Sequence, residues 1–414
     1  MEQMVERCAG LDVHKKSLTA CVRVPASDGA RVQQTRTFRT TTAGVLALRD
    51  WLQAYAVSLV GMESTGPYWK PVYYLLEDEF DCWLLNAHHL RNVPGRKTDV
   101  KDAEWICQLV EHGLVRPSFV PPKPIRELRN LTRYRKVVIQ DRTREAQRLE
   151  KLLEDAGIKL SSVASDILGA SGREMLRALV GGSRDPDALA DLAKGVLRRK
   201  IPALREALEG RFEPQHALLV AEMLGRIEHA EETIERLSAE IERLMAPFAE
   251  QLALLQTIPG VRQRLAEVIV AEIGVDMSRF ASAAHLASWA GLCPGNTQSA
   301  GKRGSGRTRR GSKWLRTGLV EGAHAVAQGK PSYLGSQYWR IAGRRGKPKA
   351  ALAVGHSILV IAYHVLDRAE PYHELGAEYL LLRESQEAHT RRLVRQLERL
   401  GHKVTLEPTE AAAA

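Results

Sequence analysis

Aromatic residues are scarce in this chain, at 6% of 414 positions, and cysteines are scarcer, at five. Cys8, Cys21, Cys82, Cys107 and Cys293 are scattered and never form a Cys-x-x-Cys pair. That excludes a zinc ribbon and a disulfide framework, and it predicts reduced thiols in a cytoplasmic protein. No run of roughly 20 apolar residues occurs, which excludes a multi-span membrane protein. Residues 1–10 carry Glu2, Glu6 and Arg7 and lack an apolar core, so no secretory leader is expected there. Acid is the minority charge: 49 Asp and Glu stand against 60 Lys and Arg, for a net charge of +11. What is present is ample apolar content, at 44%, which excludes wholesale disorder. The length suggests two or three domains. A positive excess of this size favours a polyanionic partner, most often nucleic acid, and no membrane partner is expected.

The first 115 residues alternate between strand and helix patterns. Cys8 to Val13, Leu18 to Val24 and the Thr-rich stretch from Arg31 to Thr40 read as three strands. Helical spacing follows from Thr42 to Ala54, then a strand from Ser58 to Glu63. A helix from Pro67 to Glu79, a strand from Cys82 to Asn86 and a helix from Thr98 to His112 complete the series. This order predicts an α/β domain over residues 1–118, a ribonuclease-H-like mixed sheet covered by helices.

Pro117, Pro121, Pro122 and Pro124 mark a linker. Residues 119–214 then form a basic helical stretch and a helical region without an assigned role. Lys123 to Lys151 alone holds ten Lys or Arg against four acids, Arg133, Arg135 and Lys136 among them. Residues 215–250 carry an apolar seam, from Val220 through Ile227, Ile234 and Ile241 to Phe248, stepping by three and four residues. Such a seam predicts a coiled-coil helix, which either joins two copies of the chain or packs within its own domain.

Residues 251–400 predict an all-α domain, and 401–414 a tail, disordered from Glu407. Ile258-Pro-Gly-Val261 resembles a helix-hairpin-helix turn, although Arg262 stands where a second glycine is usual. A plain helix–turn–helix packing unit fits the same residues. Two Gly-rich basic clusters follow. The first is Lys302, Arg303, Arg307, Arg309, Arg310, Lys313 and Arg316; the second runs from Arg340 to Lys349. They and the Lys123–Lys151 stretch are expected to meet phosphates with strong salt dependence.

Four acids fall at telling places. Asp12 ends the first strand, Glu63 ends the fourth, and Asp99 and Asp102 open the third helix on one face, three residues apart. In a ribonuclease-H-like sheet the first and fourth strands are neighbours, so Asp12 and Glu63 can meet, with the helix bringing the other two. Each acid alone reads as a cap or loop residue. Together they suit Mg²⁺, a hard cation with oxygen ligands. Two such ions about 4 Å apart can stabilise both the attacking and the leaving oxygen of a phosphodiester.

Gly10-Leu-Asp-Val-His-Lys15, Glu63-Ser-Thr-Gly-Pro-Tyr68 and Lys97-Thr-Asp-Val-Lys-Asp-Ala103 resemble the DEDD-type transposases of bacterial insertion sequences, the insertion-sequence one-ten family. Ile258 to Val261, Phe280 to Pro294, Gln298 to Lys302 and Arg310 to Arg316 resemble that family's second conserved domain. The resemblance covers roughly residues 8 to 150 and 215 to 370, and leaves 157 to 214 unassigned. It implies a RuvC-like N-terminal domain whose metal-binding acids are Asp12, Glu63, Asp99 and Asp102, and a nucleophilic serine at Ser299. It further implies a covalent phosphoserine link to DNA. The carboxylate chemistry suits two Mg²⁺ per site, and two composite sites per recombination event favour a homo-oligomer, dimer or tetramer. Some members are guided by a structured noncoding RNA.

The local chemistry at Ser299 is consistent with that role. A serine attacking a phosphodiester needs a neutralised phosphate, and Lys302 and Arg303 are near in sequence. Ser305 is the next candidate in the same loop. Cys293 ends an apolar run and is expected to be buried. Two other functions fit the residues: a RuvC-like junction-resolving nuclease without a covalent intermediate, and a non-catalytic nucleic-acid-binding protein.

Overall fold

A computed structural model of the chain describes residues 4–26, 30–64, 66–87, 90, 102–295, 298–299, 302–303, 306, 308, 311–382 and 386–406. The chain divides into two compact units, Met1–Val120 and Pro121–Ala414.

The first unit is built on five strands: β1 (Cys8–Val13), β2 (Ser17–Pro25), β3 (Arg31–Arg39), β4 (Leu59–Glu63) and β5 (Asp81–Leu85). Their order is β3-β2-β1-β4-β5. β1, β2 and β3 pair antiparallel, whereas β1, β4 and β5 run parallel. Parallel pairing requires crossovers, supplied by α1 (Thr42–Ala54) and α2 (Trp69–Leu76). Thr41 caps α1, its hydroxyl accepting from the Gly44 amide at 3.2 Å. α1 presents Val45, Leu48 and Leu52, and α2 presents Val72 and Leu76, to one face of the sheet. There they bury Ala9, Leu11, Leu18, Ala20, Val60 and Met62. Each large aliphatic side chain removed from water here contributes roughly 1.5–3 kcal/mol. The opposite face is covered by α3 (Asp102–Glu111), through Ala103, Ile106, Cys107 and Val110. β3 is an edge strand, largely exposed and rich in Arg, Gln and Thr, a composition that discourages further strand pairing.

The second unit opens with α4 (Lys123–Asp155), whose first turn holds Pro124. Small helices α5 (Leu160–Val163), α6 (Ala170–Val180), α7 (Pro186–Ala190) and α8 (Ile201–Leu208) lead to α9 (Pro214–Met245). α4 and α9 run antiparallel: Arg135 meets Ser238, Arg142 meets Glu231, and Arg226 reaches Glu145. The seam of Val220, Ile227, Ile234 and Ile241 is buried, and α4 of the same chain packs along it. Within the chain, one half of the seam is thus taken up by the domain itself, whereas Met223, Leu237, Leu244 and Phe248 of the same seam are half-buried. Residues 157–214 form a cap on one end of the pair, where Leu160, Met175, Leu176, Leu189, Leu204 and Leu208 share a core with Leu149, Leu153, Val220 and Leu224.

The remaining helices are α10 (Ala249–Gln256), α11 (Gln263–Ile273), α12 (Ala283–Trp289), α13 (Lys313–Gln328), α14 (Tyr333–Arg345), α15 (Lys347–Arg368), α16 (Tyr379–Leu382) and α17 (Gln386–Arg399). A two-stranded hairpin, β6 (Gln298–Ser299) and β7 (Lys302–Arg303), lies between α12 and α13. α15 is long and apolar enough to cross a membrane by length and composition. Here it is a core helix: Ala350, Ala351, Val354, Ile358, Leu359 and Ala362 are buried against α12, α13 and α14.

Candidate active site and nucleic-acid interface

Backbone register explains how the acids approach one another. Leu11 on β1 pairs with Met62 on β4, so one step further Asp12 stands beside Glu63 at the ends of two parallel strands. Alternation puts Cys8, Gly10 and Asp12 on the face covered by α3. Two glycines let α3 descend onto that face. A Cβ on Gly10 would strike the Ala103 carbonyl and the Cys107 amide, and one on Gly61 would come within 2.6 Å of a Val110 methyl. With Ala103 pressed over Gly10, the preceding residue, Asp102, is delivered towards the ends of β1 and β4. Asp102 also sits in the first turn of α3, where the helix dipole favours negative charge.

The Asp12 carboxyl is partly buried, and the His14 ring Nε2 lies 3.0 Å from its Oδ2. Burial, first, holds the Asp12 pKa above the ordinary carboxylate range; His14 pulls it down, and the charges of Asp102 and Glu63 push it up. Asp102 and Glu63 are therefore each in electrostatic reach of Asp12. Among the described residues, no three His, Cys, Asp or Glu side chains stand close enough together to hold a metal ion. Asp99 lies outside the described residues. The set is chemically suited to a divalent cation, because its donors are hard carboxylate oxygens whose mutual repulsion such a cation removes.

The basic residues fall into three groups. Arg135 is 4% exposed and paired with the buried Glu267, so it holds α4 to α11 and offers nothing to a phosphate. Arg133 grips Glu272 with both arms, at 2.7 and 2.9 Å, and Lys136 meets Glu321 at 2.6 Å. Arg316 is likewise engaged internally, donating to the Gly291 carbonyl at 2.8 Å and to the Thr308 hydroxyl. These four, expected from charge alone to contact nucleic acid, thus have protein partners, Arg135 being the most enclosed. Lys313 is exposed, with its ammonium 4.6 Å from the Trp314 ring centre. Ser299 pairs with Lys302, and Gln298 with Arg303, across the β6–β7 hairpin. Arg307, Arg309, Arg310 and Ser305 lie outside the described residues.

The hairpin's surroundings are anchored. Ser312 caps α13 and donates from its hydroxyl to Glu272 at 2.9 Å. Pro294 bridges to Thr308. Cys293 is partly exposed rather than buried, because the apolar run ends at Leu292. The Ile258–Val261 turn is a tight packing unit: Gly260 has φ +82°, and a Cβ there would strike the Gly322 carbonyl of α13.

Two family models match the chain. Residues 9–158 match a model of DEDD-type IS110 transposases, described as "Transposase", and residues 252–339 match "Transposase IS116/IS110/IS902 family". Together the two segments cover more than half of the chain. The chain belongs to the IS110 family of transposases. Among its relatives is a "Probable family 20 transposase" of Pseudomonas aeruginosa, 26% identical over 68% of this chain and 75% of that protein. "Pilin gene-inverting" proteins of Moraxella bovis and Moraxella lacunata are each 23% identical over 88% of this chain and 96% of theirs. The chain is therefore a DNA transposase or recombinase of an insertion-sequence family.

Sequence reasoning missed three features of this transposase. Gly10 and Gly61 carry no charge and no local signal of their packing role, yet they set the height of α3. His14 stands two residues after Asp12, the spacing that puts two side chains on one face of a strand, and that signal was legible. The carboxylate partners of Arg133, Arg135 and Lys136 lie 132 to 185 positions away in sequence, and no local pattern reveals them.

Proposed function

We propose that this transposase exchanges DNA strands with the carboxylates Asp12, Glu63, Asp99 and Asp102 and the nucleophile Ser299. The carrying observation is the β1–β4 register, which sets Asp12 beside Glu63 while Gly10 admits α3 and brings Asp102 to the same end of the sheet. The strand order β3-β2-β1-β4-β5 supports assigning the first unit to the ribonuclease-H/RuvC-like class. The four acids would hold Mg²⁺. A bound divalent cation supplies neutralisation of the acids and stabilisation of charge on the phosphodiester oxygens.

The residues of the chain divide the remaining work. The Ser299 hydroxyl attacks phosphorus, its proton passing to a base, and a new Oγ–P bond forms as the bond to the 3′ oxygen breaks. The departing 3′ oxygen takes up a proton. Rejoining reverses this: a 3′ hydroxyl attacks phosphorus and the serine leaves. Lys302 and Arg303, across the hairpin in sequence, neutralise the phosphate. His14, on Asp12, holds that carboxylate in one orientation. The reading extends to a homo-oligomer and to a noncoding guide RNA, as the family resemblance implies.

The test is a denaturing gel of full-length protein with Mg²⁺ and DNA spanning an element junction, with and without RNA transcribed from the element's flanks. Expected is DNA attached covalently to protein, dependent on the RNA, and lost in both Ser299→Ala and Asp102→Ala. Free cleaved DNA without an adduct, unchanged in Ser299→Ala, would replace this reading with a junction-resolving nuclease. DNA binding without cleavage, unaffected by Asp12→Ala, would leave a non-catalytic binding protein.

A further inference from the structure

The second unit holds a groove that neither the family match nor the serine–carboxylate reading uses. It lies between α4, α11 and α13 and has a volume of about 300 Å³, at the small end of the roughly 300–1,000 Å³ typical of ligand sites. Leu265, Val268 and Ile139 line it together with Gly318 and Gly322, and the half-buried Trp314 contributes an aromatic wall. Five cations also line it. Three of them are already matched: Arg133 by Glu272, Arg135 by Glu267 and Lys136 by Glu321. The other two, Arg262 and Arg264, are exposed and make no ion pair among the described residues.

This division of charge matters. A groove whose cations were all matched would favour a neutral apolar guest. Here an aromatic and aliphatic interior is joined to two unmatched positive charges. Both stand where α11 begins, at a helix start with no side-chain cap. A nucleotide taken out of its stack has the complementary form: a flat base for the apolar interior, and one phosphate on each side for the two arginines. A base within a duplex offers only its edge and cannot enter.

Resting on the reading that this chain acts on DNA, we infer that the groove receives one unpaired DNA nucleotide. Its base lies against Trp314, and its flanking phosphates meet Arg262 and Arg264. Strand exchange requires DNA strands to part, and this pocket holds a nucleotide of a parted strand. Trp314 acts as a stacking surface and the two arginines as phosphate contacts; none of them takes part in bond making.

The test uses full-length protein and a single-stranded oligodeoxynucleotide carrying 5-iododeoxyuridine. Photocross-links are mapped by mass spectrometry, and affinity is measured by anisotropy. The expected cross-link is to Trp314. Trp314→Leu should weaken single-strand binding about tenfold and duplex binding less than about twofold. The double variant Arg262→Ala/Arg264→Ala touches only exposed side chains, so it guards against misfolding of the Trp314 variant. It should weaken single-strand binding similarly and reduce the slope of log affinity on log salt by about 1.4.

Cross-links confined to other surfaces, with Trp314→Leu binding like wild type, would overturn the inference while leaving the transposase mechanism intact. Clear preference for an RNA strand of the same sequence would overturn DNA as the occupant. Wild type failing to bind any DNA would instead count against the strand-exchange reading itself.

Discussion

Buried acids met by arginines occur in both units, Glu111 of the first being gripped by Arg23 and Arg31, but the acids at the end of the sheet are handled in the opposite way. In the helical unit, buried Glu267 and Glu272 are met by Arg135 and Arg133, and Glu272 also accepts from Ser312. At the end of the sheet, burial first and then a histidine and two further carboxylates set the state of Asp12, and its pKa is pushed up. A buried acid matched by an arginine has its charge fully used in holding helices together. Acids drawn towards one another raise the electrostatic cost of the fold, a cost that a bound cation removes. On the proposed function, the contrast separates structural acids from those available for chemistry, a distinction that burial alone would miss, since the structural pair is the more buried.

The sharpest way to break this contrast is to exchange the consequences. Asp12→Ala should lower strand exchange by a factor on the order of 10²–10³ or more while leaving the fold intact, as read by a DNA rejoining assay beside circular dichroism. Glu267→Ala should do the reverse. It strands Arg135 in the interior and should cost roughly 3–5 kcal/mol of stability, seen as a lower denaturant midpoint. Exchange per folded molecule should change little. A Glu267→Ala protein as stable as wild type would dissolve the distinction.

Gly10→Ala tests how the acids are brought together. The new methyl meets backbone atoms of α3, which cannot move aside as a flexible side chain would. A stability loss of about 1–3 kcal/mol is expected. Activity should fall further than stability explains, because Asp102 is displaced. Normal activity in Gly10→Ala would show that the height of α3 over the sheet is unimportant.

The smallest effect is the pH dependence of Asp12. Its pKa is raised in the folded protein, so its protonated form is the one favoured by folding. That contribution is present below the unfolded carboxylate pKa and lost as pH rises through the higher folded value. Without divalent cations, Asp12→Asn should therefore raise the melting temperature at neutral pH, and the gain should vanish on acidification below the ordinary carboxylate range. A gain that grows towards acid would mean that His14 outweighs burial and the neighbouring carboxylates, and that the Asp12 pKa is lowered instead.

Much of the first unit was legible in the sequence, because strands and helices of one small sheet carry strong local periodicity. The β1 and α1 boundaries coincide with the apolar runs at 8–13 and 42–54. The α/β layout followed by helices is likewise as expected. Asp12, Glu63 and Asp102 could be singled out because each terminates or opens such an element. The second unit was less legible. The seam at 220–248 is equally compatible with a partner chain and with α4, and only the tertiary structure shows α4 packed along it. Charge runs misled in a definite way: Arg135 and Arg316 belong to basic clusters in sequence yet are spent within the protein. Arg262 and Arg264, outside those clusters, are the exposed cations at the groove.

The proposed divalent cation site at the ends of β1 and β4 is read directly by Mn²⁺ binding to the full-length protein, followed by electron paramagnetic resonance in wild type, Asp12→Ala and Glu272→Ala. Binding that is lost in Asp12→Ala and kept in Glu272→Ala is the predicted result. Equal binding by wild type and Asp12→Ala would show that these acids are not a cation site.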